Sequence, residues 1–73
     1  MLNRICWLHS KIRHDQVIVA VFGPEIKTTI SKSDILRKDD DCLTILHPDE
    51  SITVINPNHV VKIYTARKGS VFL

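Results

Sequence analysis

The sequence predicts a mainly β fold, a small barrel of five or six strands, and three features of its 73 residues point there. Gln16 to Phe22 carries a continuous Val-Ile-Val-Ala-Val-Phe run whose β-branched content and short length favour a buried strand over a helix. Between Ser51 and Tyr64, two β-branched runs are interrupted only by Asn56-Pro57-Asn58. Pro57 brings no amide hydrogen and disfavours α geometry at Asn56, so one strand stops there and another starts in a new direction. The remaining apolar runs are short and separated by turn residues. No repeat, low-complexity segment or linker divides the chain, and residues 1–73 read as a single domain.

The elements follow in order. Met1, Ile5, Leu8 and Ile12 recur at helical spacing, with Leu2 and Cys6 beside them. Residues 2–12 therefore suit a short amphipathic helix, although a first strand from Leu2 to His9 competes with it, because no good N-cap precedes the run. Gln16 to Phe22 needs cover on both faces. Gly23-Pro24 turns the chain, and Ile26 to Ile30 returns as its partner in a hairpin. Ser31 to Asp41 is polar and reads as a connecting loop. Cys42 to Leu46 and Ser51 to Ile55 form a second hairpin around His47-Pro48-Asp49-Glu50, whose Pro and Asp favour a type I turn. His59 to Ala66 is the last long strand, with Val61, Ile63 and Thr65 on one face and Val60, Lys62, Tyr64 and Ala66 on the other. Core positions are expected at Val17, Val19, Val21, Leu43, Ile45, Ile52, Val54, Val61 and Ile63. Closure of these strands into a barrel would remove the unpaired edges of an open sheet.

A helix option, a strand pair from Gln16, a strand near Cys42, and then Ile52-Thr-Val-Ile-Asn-Pro-Asn-His-Val-Val-Lys-Ile63 resemble the Sm-like and SH3-like small barrels across residues 16–66. The resemblance implies an SH3-like or Sm-like barrel and assembly into rings through the outer edges of the last strands. It departs from the Sm pattern at Phe22-Gly23-Pro24-Glu25, where no matching Asn follows, so the family's RNA-contacting residues do not transfer.

Composition narrows the function classes. So short a chain buries only about 60% of the surface its unfolded form exposes, and an apolar fraction of 44% against 25% charged residues leaves much of that apolar content outside. Self-association is the natural outlet. Two cysteines, Cys6 and Cys42, are too few for a disulfide framework and suit a reducing compartment. With no leader-like opening and no apolar run near the roughly 20 residues that cross a bilayer, the sequence reads as soluble, cytoplasmic and without a membrane partner. The net charge of +2 is slight. Its distribution is uneven: Arg4, Lys11, Arg13 and His14 gather at one end and Lys62, Arg67 and Lys68 at the other, while Asp39-Asp40-Asp41 and Asp49-Glu50 mark acidic loops. Adjacent termini would merge the basic ends into one face opposite those loops.

Each chemical constellation has a plainer reading. Cys6, His9, Cys42 and His47 form a zinc-type ligand set, but the spacing is not that of a finger and both cysteines sit in apolar runs, so no metal is expected. The aspartate triplet lacks the alternation and glycine of a calcium loop. His47 with Asp49 and His14 with Asp15 have no neighbouring nucleophile in sequence, and no enzyme activity or cofactor is expected. The leading reading is a non-enzymatic module, regulator or inhibitor, that acts by homo-oligomerisation or by docking on a protein, with Trp7, Phe72 and Leu73 as interface anchors. The alternative is an Sm-like or cold-shock-like binder of single-stranded RNA or DNA. In it Tyr64 stacks on a base, Lys62, Arg67 and Lys68 meet phosphates, and Asn58 and His59 read base edges. A third reading has an oligomer capturing a small anionic ligand between protomers.

Overall fold

A computed structural model describes residues 2–69 of the protein. The chain is one helix, α1 (Leu2–Lys11), followed by β1 (Gln16–Gly23), β2 (Ile26–Ser31), β3 (Ile35–Asp39), β4 (Cys42–Leu46), β5 (Ile52–Ile55), a 3-10 turn η1 (Pro57–His59) and β6 (Lys62–Arg67). The strands form two antiparallel three-stranded sheets, ordered β2-β1-β6 and β3-β4-β5. Among the described residues no strand pairing joins the two sheets, so the expected closed barrel is not formed. The chain passes between sheets at two corners that interrupt the ladder, Lys32-Ser33-Asp34 and η1, and among the described residues four strand edges are unpaired.

The helical alternative is the one realised at the N-terminus, because it lets one face of α1 cap the core. Ile5 is fully buried, Ile12 nearly so, and Leu2, Cys6 and Leu8 pack partly against them. Between the sheets these residues meet Ile18, Ile30, Leu43, Ile45 and Ile55. Phe22, Leu36 and Ile63 flank the cluster. The apolar run of β1 is explained by burial on both faces: Ile18 enters the shared core, whereas Val19 lies on the opposite face between its cross-strand neighbours Thr29 and Tyr64.

Three sequence expectations need correction. Ser31 to Asp41 is not a loop; Ile35–Asp39 is a strand whose charged residues weaken its intrinsic preference, and pairing with Cys42–Leu46 supplies what propensity lacks. The last strand begins at Lys62, because Asn56 Oδ1 accepts the Asn58 amide at 3.0 Å and Val60 N–H reaches the Pro57 carbonyl at 3.2 Å, winding Pro57–His59 into a 3-10 turn. Ile52, Val54 and Val61 are not core but mostly exposed. For Ile52 and Val54 the cause is register: Leu43 pairs with Ile55, turning that alternate set inward and the other set outward. Val61 lies outside the strand and is held by its amide, which bonds the Val21 carbonyl at 2.9 Å.

Among the described residues three non-glycine residues adopt positive φ, and each is at a hairpin tip: Glu25 (65°), Asp40 (48°) and Glu50 (73°). Glu25 follows Pro24 in the two-residue link between Gly23 and Ile26. A glutamate lacks the short local hydrogen bonds that let Asn and Asp tolerate this region. Glu25→Gly is expected to raise stability by about 0.5–1 kcal/mol. A higher urea midpoint at unchanged slope is the sign of it, and a lower midpoint would show that the tip is unstrained.

Candidate functional site

The outer face of β3-β4-β5 holds the largest group of misplaced apolar side chains. Ile35 pairs with Leu46 and Leu46 with Ile52, so the three lie in one row across the whole sheet. The next row is Arg37, Thr44 and Val54, and the last is Asp39 beside Cys42. Cross-strand partners share a face, and this face is open: Ile35 is 64% exposed, Ile52 59% and Val54 61%. Its polar border is internally paired. Arg37 Nε lies 3.7 Å from Asp39 Oδ1, and Thr44 Oγ1 donates to Asp39 Oδ2 at 3.3 Å.

A polar chain lies behind the apolar row, with Thr53 on the inner face opposite Ile45. Asp34 is only 5% exposed, and its Oδ2 accepts the Ser31 amide at 2.9 Å. Its Oδ1 lies 3.1 Å from His47 Nδ1, and His47 Nε2 lies 2.7 Å from Thr53 Oγ1. An ionised carboxylate only accepts, so Nδ1 is the donor to Asp34, while Nε2 and the Thr53 hydroxyl share the second bond, a hydroxyl being able to give or to accept. The connectivity is that of an acid–base relay. Here it links the corner after β2, the end of β4 and the middle of β5, and each member is the chain neighbour of one residue in the Ile35, Leu46, Ile52 row.

The hairpin tip next to this chain is also tied. Ser51 donates its hydroxyl to Asp49 Oδ1 at 2.6 Å and its amide to the same oxygen at 3.0 Å. The hydroxyl bond foremost, then the amide, holds the Asp49 carboxyl below its usual 3.8. A depressed folded value means that the contribution is present above the unfolded value and fades as pH falls through the folded one.

The residues proposed from sequence as a binding set are strung along the first sheet rather than gathered. Asn58 and His59 are exposed on η1; Lys62 and Tyr64 are neighbours on one face of β6, with Lys62 Nζ 5.3 Å from the Tyr64 ring centre. Arg67 and Lys68 lie at the other end, about 20 Å away from Lys62 by strand rise. That end meets the N-terminal segment, since Arg67 pairs with Gln16 and the Lys68 amide bonds the Asp15 carbonyl at 2.9 Å. The basic ends thus adjoin. The acidic residues, however, lie at opposite ends of β4 and not on one face, because the β3–β4 and β4–β5 turns point in opposite directions. Trp7 is exposed on α1, while Phe72 and Leu73 lie outside the described residues. Both Cys6 and Cys42 are free thiols. Among the described residues no three His, Cys, Asp or Glu side chains gather into a metal-binding group, and the zinc-type set stays dispersed.

Ile35 and Asp34 were hidden in a segment that reads as loop, and the pairing of Asp34 with His47 spans 13 positions that no local pattern connects. The chain matches no protein-family model, no curated protein and no solved structure.

Proposed function

We propose that the protein is a non-enzymatic binding module that works by self-association, with the outer face of β3-β4-β5 covering the same face of a second copy. The single observation behind this reading is the exposed aliphatic row of Ile35 and Ile52, extended by Val54. Contiguous apolar surface of this kind on a small domain marks an interaction site. A second copy is favoured over an unlike partner by the polar border. A two-fold contact between identical faces can set Arg37 of each copy against Asp39 of the other, exchanging an intramolecular ion pair for two intermolecular ones. We read the architecture as an open SH3-like or Sm-like arrangement, two sheets over one core with both the β2–β3 and the β5–β6 junctions unpaired.

Light scattering of the purified chain tests the proposal. The wild-type protein is expected to be dimeric or larger at micromolar concentration, and Ile52→Lys or Val54→Lys to be monomeric with an unchanged circular dichroism spectrum, since both side chains already face water. A monomeric wild type, or charged variants that still associate, would sink it.

A further inference from the structure

We infer that the exposed side of α1 and the adjoining end of the first sheet form a binding track for single-stranded nucleic acid, with Trp7 as its stacking platform. Arg4, Trp7 and Lys11 recur at helical spacing and share one stripe. The Arg4 guanidinium and the Lys11 ammonium lie over the Trp7 ring, 5.8 Å and 5.9 Å from its centre, as cation–π contacts, and the residue is 52% exposed. Arg4 and Lys11 are about 10 Å apart along the helix axis. A base stacking on the indole would take the place of these cation–π contacts and release the two cations to its flanking phosphates. Stacking on an aromatic ring within a basic groove is how proteins hold single strands without reading their sequence.

The charge distribution extends the stripe into a track. Residues 2–16 contain one acidic side chain, Asp15, against Arg4, Lys11 and Arg13. The Asp15 carbonyl is bonded by the Lys68 amide and Gln16 pairs with Arg67, so the cations at the end of β6 continue directly from those after α1. Lys32 adds a further charge at this end, its Nζ donating to the His9 carbonyl at 2.8 Å. A lipid surface fits less well. The apolar stripe of α1 is consumed by the core, leaving Trp7 alone to insert, whereas an interfacial helix needs a whole apolar face. The track lies on α1 and the first sheet, apart from the self-association face on the second.

Trp7 is the sole tryptophan, which makes it the reporter of its own site. The full-length protein is titrated into labelled oligo-dT and oligo-rU of about ten nucleotides in about 50 mM salt, following polarisation and tryptophan emission together. Saturable binding with quenched emission is expected. Four phosphate contacts, from Arg4, Lys11, Arg13 and Lys68, correspond to a slope of log K against log salt of about −3. Trp7→Ala is expected to weaken binding about tenfold, and Trp7→Phe to retain most of it. The pair Arg4→Gln and Lys11→Gln should lower the slope's magnitude by about 1.4. Inorganic polyphosphate of matched charge should bind without quenching. Absence of oligonucleotide binding, equal affinity and quenching by polyphosphate, or full affinity in both Trp7 variants would overturn the inference. Repeating the titration with Ile52→Lys separates this site from self-association, because the track should bind whether or not the chain associates.

Discussion

Ile45→Ala is expected to destabilise the protein by about 3 kcal/mol or more, while Ile52→Ala, in the next strand, is expected to change stability by less than about 0.5 kcal/mol. Ile45 has no exposed surface and belongs to the cluster shared by α1 and both sheets, so its truncation opens a cavity where close-packed neighbours can collapse only in part. Ile52 stands on the outer face, where water already fills the space that truncation would vacate. A domain of this length has a total stability of roughly 4–11 kcal/mol, so the first change removes a large share of it. Urea unfolding at a concentration low enough to keep the chain monomeric makes the comparison. Equal losses at the two positions would mean that the sheet register is wrong.

That contrast also marks how far the amino-acid sequence reveals the fold. The hairpins were legible because turn chemistry is local: Gly23-Pro24 and His47-Pro48-Asp49-Glu50 fall where the strands reverse, with the second strand starting at Ile52 rather than Ser51, and Asn56 closes its corner through its own side chain. In Ile52-Thr-Val-Ile55, both alternate sets contain branched aliphatic residues, so period-two reasoning cannot choose the inner one. Pairing chooses it, since Ile55 is opposite Leu43 and Ile52 opposite Leu46. Ile35–Asp39 was illegible for a related reason, its strand character coming from β4 rather than from its own residues. The site was less legible than the fold. Trp7 was singled out, but its two cations become neighbours only if residues 2–11 are helical, and the aliphatic row exists only once three separate strands are in register.

Asp34→Ala is expected to cost about 3 kcal/mol, a loss out of proportion to the volume removed. The carboxylate serves the Ser31 amide and His47 Nδ1 at once, and its removal leaves two donors without an acceptor in a place largely closed to water. His47→Ala removes the middle of the chain and both of its bonds, and in the double variant the two losses should fall short of their sum by at least about 1 kcal/mol, as for residues in one network. Strict additivity would show that Asp34 and His47 are independent and that their 3.1 Å contact contributes little. The consequence reaches the surface, because Asp34, His47 and Thr53 each adjoin one member of the Ile35, Leu46, Ile52 row. A tie between the three segments keeps the aliphatic side chains abreast, and an interface made of them depends on that alignment. Thr53→Val keeps the shape of the side chain and removes only the hydroxyl bonded to Nε2, so it is the variant that separates alignment from folding. It should remain folded, lose about 1 kcal/mol, and weaken self-association without altering any residue of the outer face. Retention of full association in Thr53→Val would show that backbone pairing alone aligns the row.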